Sequence, residues 1–222
     1  MKSAVLPILS LIPLLLAGPA RSAGAAAGSD SVRPASASGD APRRAFTARL
    51  ASPPLLSGDF TQEKRIAGLK KPLISQGQFL VARDKGVIWR TRKPFAAAVA
   101  VTRKGIWSLQ PAGGGIQRES IQQGNLGMAM DMIQKVLAGD PASLDRIFAV
   151  AEKGGAEGWT LDLRPLDPMV ARIILSIRLQ GRGHVDRVEY AEANGDMTRI
   201  DFTAVADNAG ELASWQAVAF RD

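Results

Sequence analysis

The chain has 222 residues, with 28 basic and 21 acidic side chains for a net charge of +7, no cysteine and a single histidine. That inventory excludes a disulfide framework, zinc centres built on several His or Cys ligands and a Cys nucleophile, and it leaves His184 as the one histidine base for a Ser nucleophile. Stability must come from a hydrophobic core, which a single domain of this length can supply. Residues 1–25 read as a secretory signal peptide: Met1-Lys2 is a positive end, residues 5–17 are almost wholly apolar, and small residues follow, with Ala23-Gly24-Ala25 as one cleavage pattern. Pro7 and Pro13 interrupt the run, which is short for a membrane span. Residues 26–41 carry Ala, Gly, Ser and Pro without an apolar period and read as a flexible tether, leaving 42–222 as the folded domain. Asp40 caps an expected short helix that turns Phe46 and Leu50 to the core and stops at Ser52-Pro53-Pro54.

Next come short β-rich runs broken by Gly, Lys and Asp, the pattern of an antiparallel meander. Strands are expected at 58–66, 73–83, 86–91, 96–102 and 106–109. Alternation puts Phe79, Val81 and Arg83 on one face of the second, and Val87 and Trp89 on one face of the third, across an Asp84-Lys85-Gly86 turn. Arg83 is the odd member, a cation beside an apolar surface. From Phe60 to Lys104 eleven basic side chains stand against only Glu63 and Asp84, a segment charge of +9. Such a field favours an acidic partner or an anionic membrane surface, with Lys64, Arg65, Lys70 and Lys71 as docking candidates. The same cations equally suit solvated strand edges guarded against aggregation. Nucleic acid is not expected as the partner of an exported chain. The glycines of 111–115 form a loop without the Gly-Lys-Ser/Thr of a phosphate loop, and no cofactor or metal is expected.

A helical stretch follows, where Met128, Met130, Met132, Ile133, Val136 and Leu137 crowd polar sequence ending at Gly139. Methionine suits irregular or changing apolar partners, so these residues are either core filler or a movable surface. Asp140-Pro141 then opens another short helix with Leu144, Ile147 and Phe148 apolar. Strands resume at 159–164, 173–179, 185–192 and 198–203, the last two joined by an Asn194-Gly195 hairpin signal. Residues 214–220 are expected to add a final strand. His184 falls in a turn, and the carboxylates Asp162, Asp167, Asp186 and Glu189 point to water, so no enzyme is expected. The order helix, strands, helices, strands suits a mainly β (α+β) fold, one curved antiparallel sheet with helices packed on it.

Phe60-Thr61-Gln62, Gly77, Arg83, Trp89, Pro94, Trp107 and Pro111 occur in an order that resembles the periplasmic outer-membrane lipoprotein carriers, the LolA-like family. From Gly77 to Pro111 the match needs no gap, and it continues more weakly to about Phe202. Asp84 replaces a frequent family Pro, and Gly105 stands closer to the second Trp than in the family. The resemblance implies an unclosed barrel with short helices as a lid over an apolar cavity. Phe79, Val81, Val87, Trp89 and Trp107 would line it, Met128, Met130, Met132, Ile133 and Leu137 would form the lid, and Arg83 would tie lid to sheet. It also implies a monomeric periplasmic carrier of lipoprotein acyl chains, taking cargo from an inner-membrane donor transporter to an outer-membrane acceptor. A carrier of another lipid, or a periplasmic lipid or lipoprotein sensor, would use the same features.

Overall fold

Side chains alternate between the two faces of one sheet, and the composition of the reverse face changes along it. The computed structural model describes residues 55–82, 85–102, 104–113, 115–121, 148–155, 158–207 and 212–221. Within them the first meander comprises β1 (Leu55–Arg65), β2 (Leu73–Ala82), β3 (Gly86–Lys93), β4 (Ala97–Thr102), β5 (Gly105–Ala112) and β6 (Gly115–Ser120). The second comprises β7 (Phe148–Gly155), β8 (Gly158–Pro165), β9 (Ile174–Gly181), β10 (Val185–Glu192) and β11 (Met197–Asp207). Two short helices are described, α1 (Pro168–Ala171) and α2 (Ser214–Ala219). The strand order is β6-β5-β4-β3-β2-β1-β11-β10-β9-β8-β7, antiparallel throughout. The two meanders therefore join through β1 and β11, and among the described residues β6 and β7 are the edges of a sheet that does not close into a barrel.

Register defines the faces. Phe60 lies opposite Phe202 and Gly77, and Gln62 opposite Ile200, which lies opposite Val188 and so on to Leu179 and Leu161. This first face, called aromatic below, buries Trp159, Leu161, Leu163, Ile177 and Leu179 with Phe148 and with Val170 of α1. The reverse face is polar over β1, β10 and β11, where Glu63 binds Arg65 and Arg199 at 2.6 and 2.8 Å. Over β2 to β6 it is apolar instead: Leu80, Ala82, Ile88, Ala100 and Leu109 pack beneath Ala219 and Phe220 of the C-terminal segment.

Three sequence expectations are corrected. Residues 214–220 form helix α2 and not a strand: Ala217 N–H donates to the Ala213 carbonyl, and Gln216 Oε1 accepts from Ala213 N–H at 2.8 Å. Trp215, Ala217 and Ala219 alternate, yet Trp215 and Ala219 are also four apart, and a run this short does not separate the two periods. Phe148 begins β7 and does not close a helix, because eight residue pairs bind β7 to β8. Its Ala, Glu, Lys and Gly composition hides a strand. The expected 111–115 loop shrinks to a tight hairpin, with Ala112 opposite Gly115 and Gly113 at φ 54. The signal peptide, the tether, the Asp40 helix and the helices expected over 128–147 lie outside the described residues.

Candidate functional site

Trp89 on β3 stands opposite Phe79 on β2, and Val87 opposite Val81, so these four apolar residues share one face. Two glycines let rings spread over it. A Cβ on Gly77 would collide with the Arg90 carbonyl oxygen and come 2.8 Å from Phe60 Cε1. A Cβ on Gly58 would come 2.8 Å from Phe79 Cε1 and 2.9 Å from the Thr203 carbonyl oxygen. With both positions empty, Phe60 reaches across β2 and stacks on Trp89 with centroids 4.0 Å apart. Phe202 meets Phe79 edge-on at 5.0 Å and Trp89 at 6.1 Å. Each such pair adds roughly 0.5–1.5 kcal/mol beyond buried area. Phe60 and Phe79 are buried, whereas Val81, Val87, Trp89 and Phe202 stay partly open. The Trp89 indole N–H is buried and finds no acceptor among the described residues. An unmet buried donor costs about 1–3 kcal/mol, so a ligand acceptor here would be rewarded.

The other sequence candidates separate from this face. Trp107 lies on the reverse face, because it stands opposite Ala100 while Trp89 stands opposite Val99. Its indole N–H donates to Thr102 Oγ1 at 3.2 Å, and the Arg118 guanidinium lies 4.1 Å above its ring. Lys64, expected as a docking cation, points instead into the sheet's buried side, where Glu192 Oε1 lies 3.0 Å and Asp196 Oδ2 3.2 Å from its Nζ. Burial pushes the Glu192 carboxyl above its ordinary range against the pull of Lys64. Burial also acts upward on Asp196, but the Ala67 N–H, 2.9 Å from Oδ1, and Lys64 together hold it below its ordinary range. Arg65 is exposed and paired with Glu63, and Lys70 and Lys71 are exposed in the β1–β2 turn. Arg83, Met128, Met130, Met132, Ile133 and Leu137 lie outside the described residues.

Alternation along strands did not disclose a cleft of about 540 Å³ on the reverse side, between β1–β3 and α2. Leu55, Leu80, Ile88 and Trp215 form its apolar wall, and Asp59, Gln78, Arg90 and Gln216 its polar one. The volume is in the range of ligand sites. Ala213, Trp215 and Gln216 roof the cleft, and it was not foreseen because that segment was expected to be a strand. Phe60 and Phe202 were also missed as site residues. The signal was the pair Gly58 and Gly77, two strand glycines spaced to receive rings. Two of the candidate carboxylates are in ion pairs: Asp162 Oδ1 accepts from Arg178 Nε at 2.6 Å and is lowered chiefly by that bond, and Asp186 pairs with Arg182 and lies 3.2 Å from His184 Nε2.

A family model described as "Outer membrane lipoprotein carrier protein LolA-like" matches residues 34–220. No curated protein matches the sequence. Among solved structures, a LolA superfamily protein from Nitrosomonas europaea is similar at 12% identity and TM-score 0.41, covering 74% of this chain and 92% of that one. The complex of Pseudomonas aeruginosa MucA and MucB is similar at 15% and 0.44, over 79% of this chain and 60% of that one. A DUF1329 family protein from Desulfovibrio piger is similar at 12% and 0.41, over 80% and 94%.

Proposed function

The chain belongs to the LolA-like outer membrane lipoprotein carrier family, and from that premise we propose that it holds the acyl chains of lipoproteins on its aromatic face and ferries them toward the outer membrane. Proteins of this family are periplasmic carriers or binding proteins and not enzymes. No helix among the described residues is long and apolar enough to cross a membrane. The observation that carries the reading is the partly open strip of Val81, Val87, Trp89 and Phe202, backed by buried Phe60 and Phe79. An acyl chain gains about 0.8 kcal/mol for each methylene it hides, so such a strip supplies the affinity that water denies to a free lipidated protein. The unmet Trp89 N–H supplies an anchor for the ester or amide carbonyl where the chain joins its headgroup. An inner-membrane donor and an outer-membrane acceptor complete the proposed route.

A solvatochromic fatty probe should bind the purified protein, and binding should shift the emission of Trp89. Trp89→Phe should remove that shift. It should also weaken acyl esters and amides about 3- to 10-fold while leaving a plain alkyl amphiphile unchanged, the size of one hydrogen bond. Equal loss for all ligands would make Trp89 a packing residue only. Transfer of a lipidated protein between donor and acceptor vesicles tests the carriage. Binding without transfer would leave a sensor in place of a carrier, and no binding of any long-chain amphiphile would end the lipid reading.

A further inference from the structure

Nine large apolar side chains are exposed among the described residues, and eight of them lie at one end of the sheet. Leu69 stands in the β1–β2 turn, Phe95 in the β3–β4 turn, and Leu166 and Met169 in the β8–β9 connection. Leu73, Ile74, Leu175 and Met197 are strand residues beside those turns or beside the β10–β11 turn. Register brings all of them to the same rim: Leu73 stands opposite Lys64, Lys93 opposite Gln76, Met197 opposite Arg65, and Glu192 opposite Ile174. Phe95 is the most exposed of the set at 63%. Adjacent turns are two strands apart, so the four of them run on the order of 30 Å along the sheet. A single exposed leucine means nothing, but this many on one rim marks a contact surface.

The rim is also basic. Lys70 and Lys71 sit between Leu69 and Leu73, Arg92 and Lys93 precede Phe95, and Arg172 follows Met169, all exposed. The acids described at this end are already engaged. Asp167 caps α1 by accepting from Met169 N–H at 2.7 Å, Glu63 binds Arg65 and Arg199, and Glu192 and Asp196 are buried with Lys64. We propose that this rim docks the protein on an anionic phospholipid bilayer, with the basic side chains at the headgroups and the tips Leu69, Phe95, Leu166 and Met169 dipping into the interface. Charge complementarity selects that occupant: cations alternating with apolar tips meet anionic headgroups and acyl boundary at once. The proposal rests on the carrier reading and extends it to where cargo changes hands, and it uses none of the acyl-binding residues Val81, Val87, Trp89 and Phe202.

The test is sedimentation of the exported chain with vesicles of phosphatidylcholine alone or mixed with phosphatidylglycerol, beside fatty-probe binding as a separate measure of the aromatic face. Binding to the anionic vesicles should exceed binding to neutral ones at least tenfold and weaken with added salt, since exposed charges are screened within about 10 Å. Each basic residue near an anionic surface strengthens binding about fivefold, so Lys70→Gln/Lys71→Gln/Lys93→Gln should weaken it on the order of 100-fold. Phe95→Ser/Met169→Ser should weaken it roughly tenfold even at low salt. Both variants should melt as the wild type does and keep the fatty probe. Vesicle binding that neither variant weakens overturns the proposal. So does a chain that binds the probe but no vesicle, in which case the rim faces a protein. Loss of probe binding with vesicle docking intact would sink the acyl-binding reading and leave the docking surface standing.

Discussion

Lys64→Met should destabilise the protein by about 3–5 kcal/mol, the cost of leaving buried carboxylates without their cation. Glu192 and Asp196 are buried, and Lys64 Nζ bonds to both. The loss should depend on pH, with a sign fixed by Glu192. Burial already raises its carboxyl above the ordinary 4.5 against the pull of Lys64. Removing the ammonium raises it further, so the folded variant binds a proton more tightly than the unfolded chain. Its stability should then fall as pH rises from that ordinary value through the raised one, and recover as pH falls back. Asp196 works the other way: it is held below the ordinary 3.8, and what it contributes above that value disappears as pH falls through the lowered one. The variant's deficit should therefore be largest at neutral pH and shrink toward pH 5, still above the Asp196 window. Urea melts of wild type and variant at pH 7 and pH 5 measure this. Lys64→Met/Glu192→Leu should regain much of the loss, since an apolar pair can replace a buried ion pair at little cost. A deficit near zero at neutral pH would mean that Lys64 is a surface cation after all.

Lys64 also marks where sequence reasoning stops. Strand alternation correctly put Phe79 with Val81 and Val87 with Trp89, because the side-chain period is a local property, and the β2–β3 register then joins the two pairs on one face. Local signals likewise placed β10, whose start at Val185 and end at Glu192 agree with expectation. The partners of Lys64 are 128 and 132 residues away in sequence, and only the pairing of β1 with β11 brings them near. Nothing in residues 60–70 announces that pairing, so a buried lysine reads the same as its exposed neighbours Lys70 and Lys71. Trp107 was misplaced for a different reason. Whether it shares a face with Trp89 depends on the β4–β5 register, which sets it opposite Ala100, and a turn one residue longer would have reversed the answer. Segment 214–220 failed because seven residues fit either period, and Trp215 and Gln216 of that helix line the cleft.

Gly77→Ala should cost about 1.5–4.5 kcal/mol and lower fatty-probe affinity as well, although it adds one methyl group. The new Cβ would meet the Arg90 carbonyl oxygen on β3 and the Phe60 ring from β1 at once. The Arg90 oxygen is main chain in a paired strand, so β2 and β3 must part around the Gln76–Gly77 bulge, a strain of about 1–3 kcal/mol. Phe60 must also leave its 4.0 Å stack on Trp89, forfeiting roughly 0.5–1.5 kcal/mol more. With about 2–4 °C for each kcal/mol in a domain of this size, the melting temperature should drop on the order of 10 °C. Gly183→Ala is the control, since a Cβ there meets nothing within 4 Å and its φ lies outside the left-handed range. It should be neutral or stabilising by about 0.4–1 kcal/mol. The argument from packing to function is that the four rings act as one surface: displacing Phe60 tilts Trp89, and Trp89 is the residue meant to receive cargo. If Gly77→Ala lowers stability but leaves probe affinity and Trp89 emission unchanged at low temperature, the aromatic cluster is core, and the acyl chains bind elsewhere.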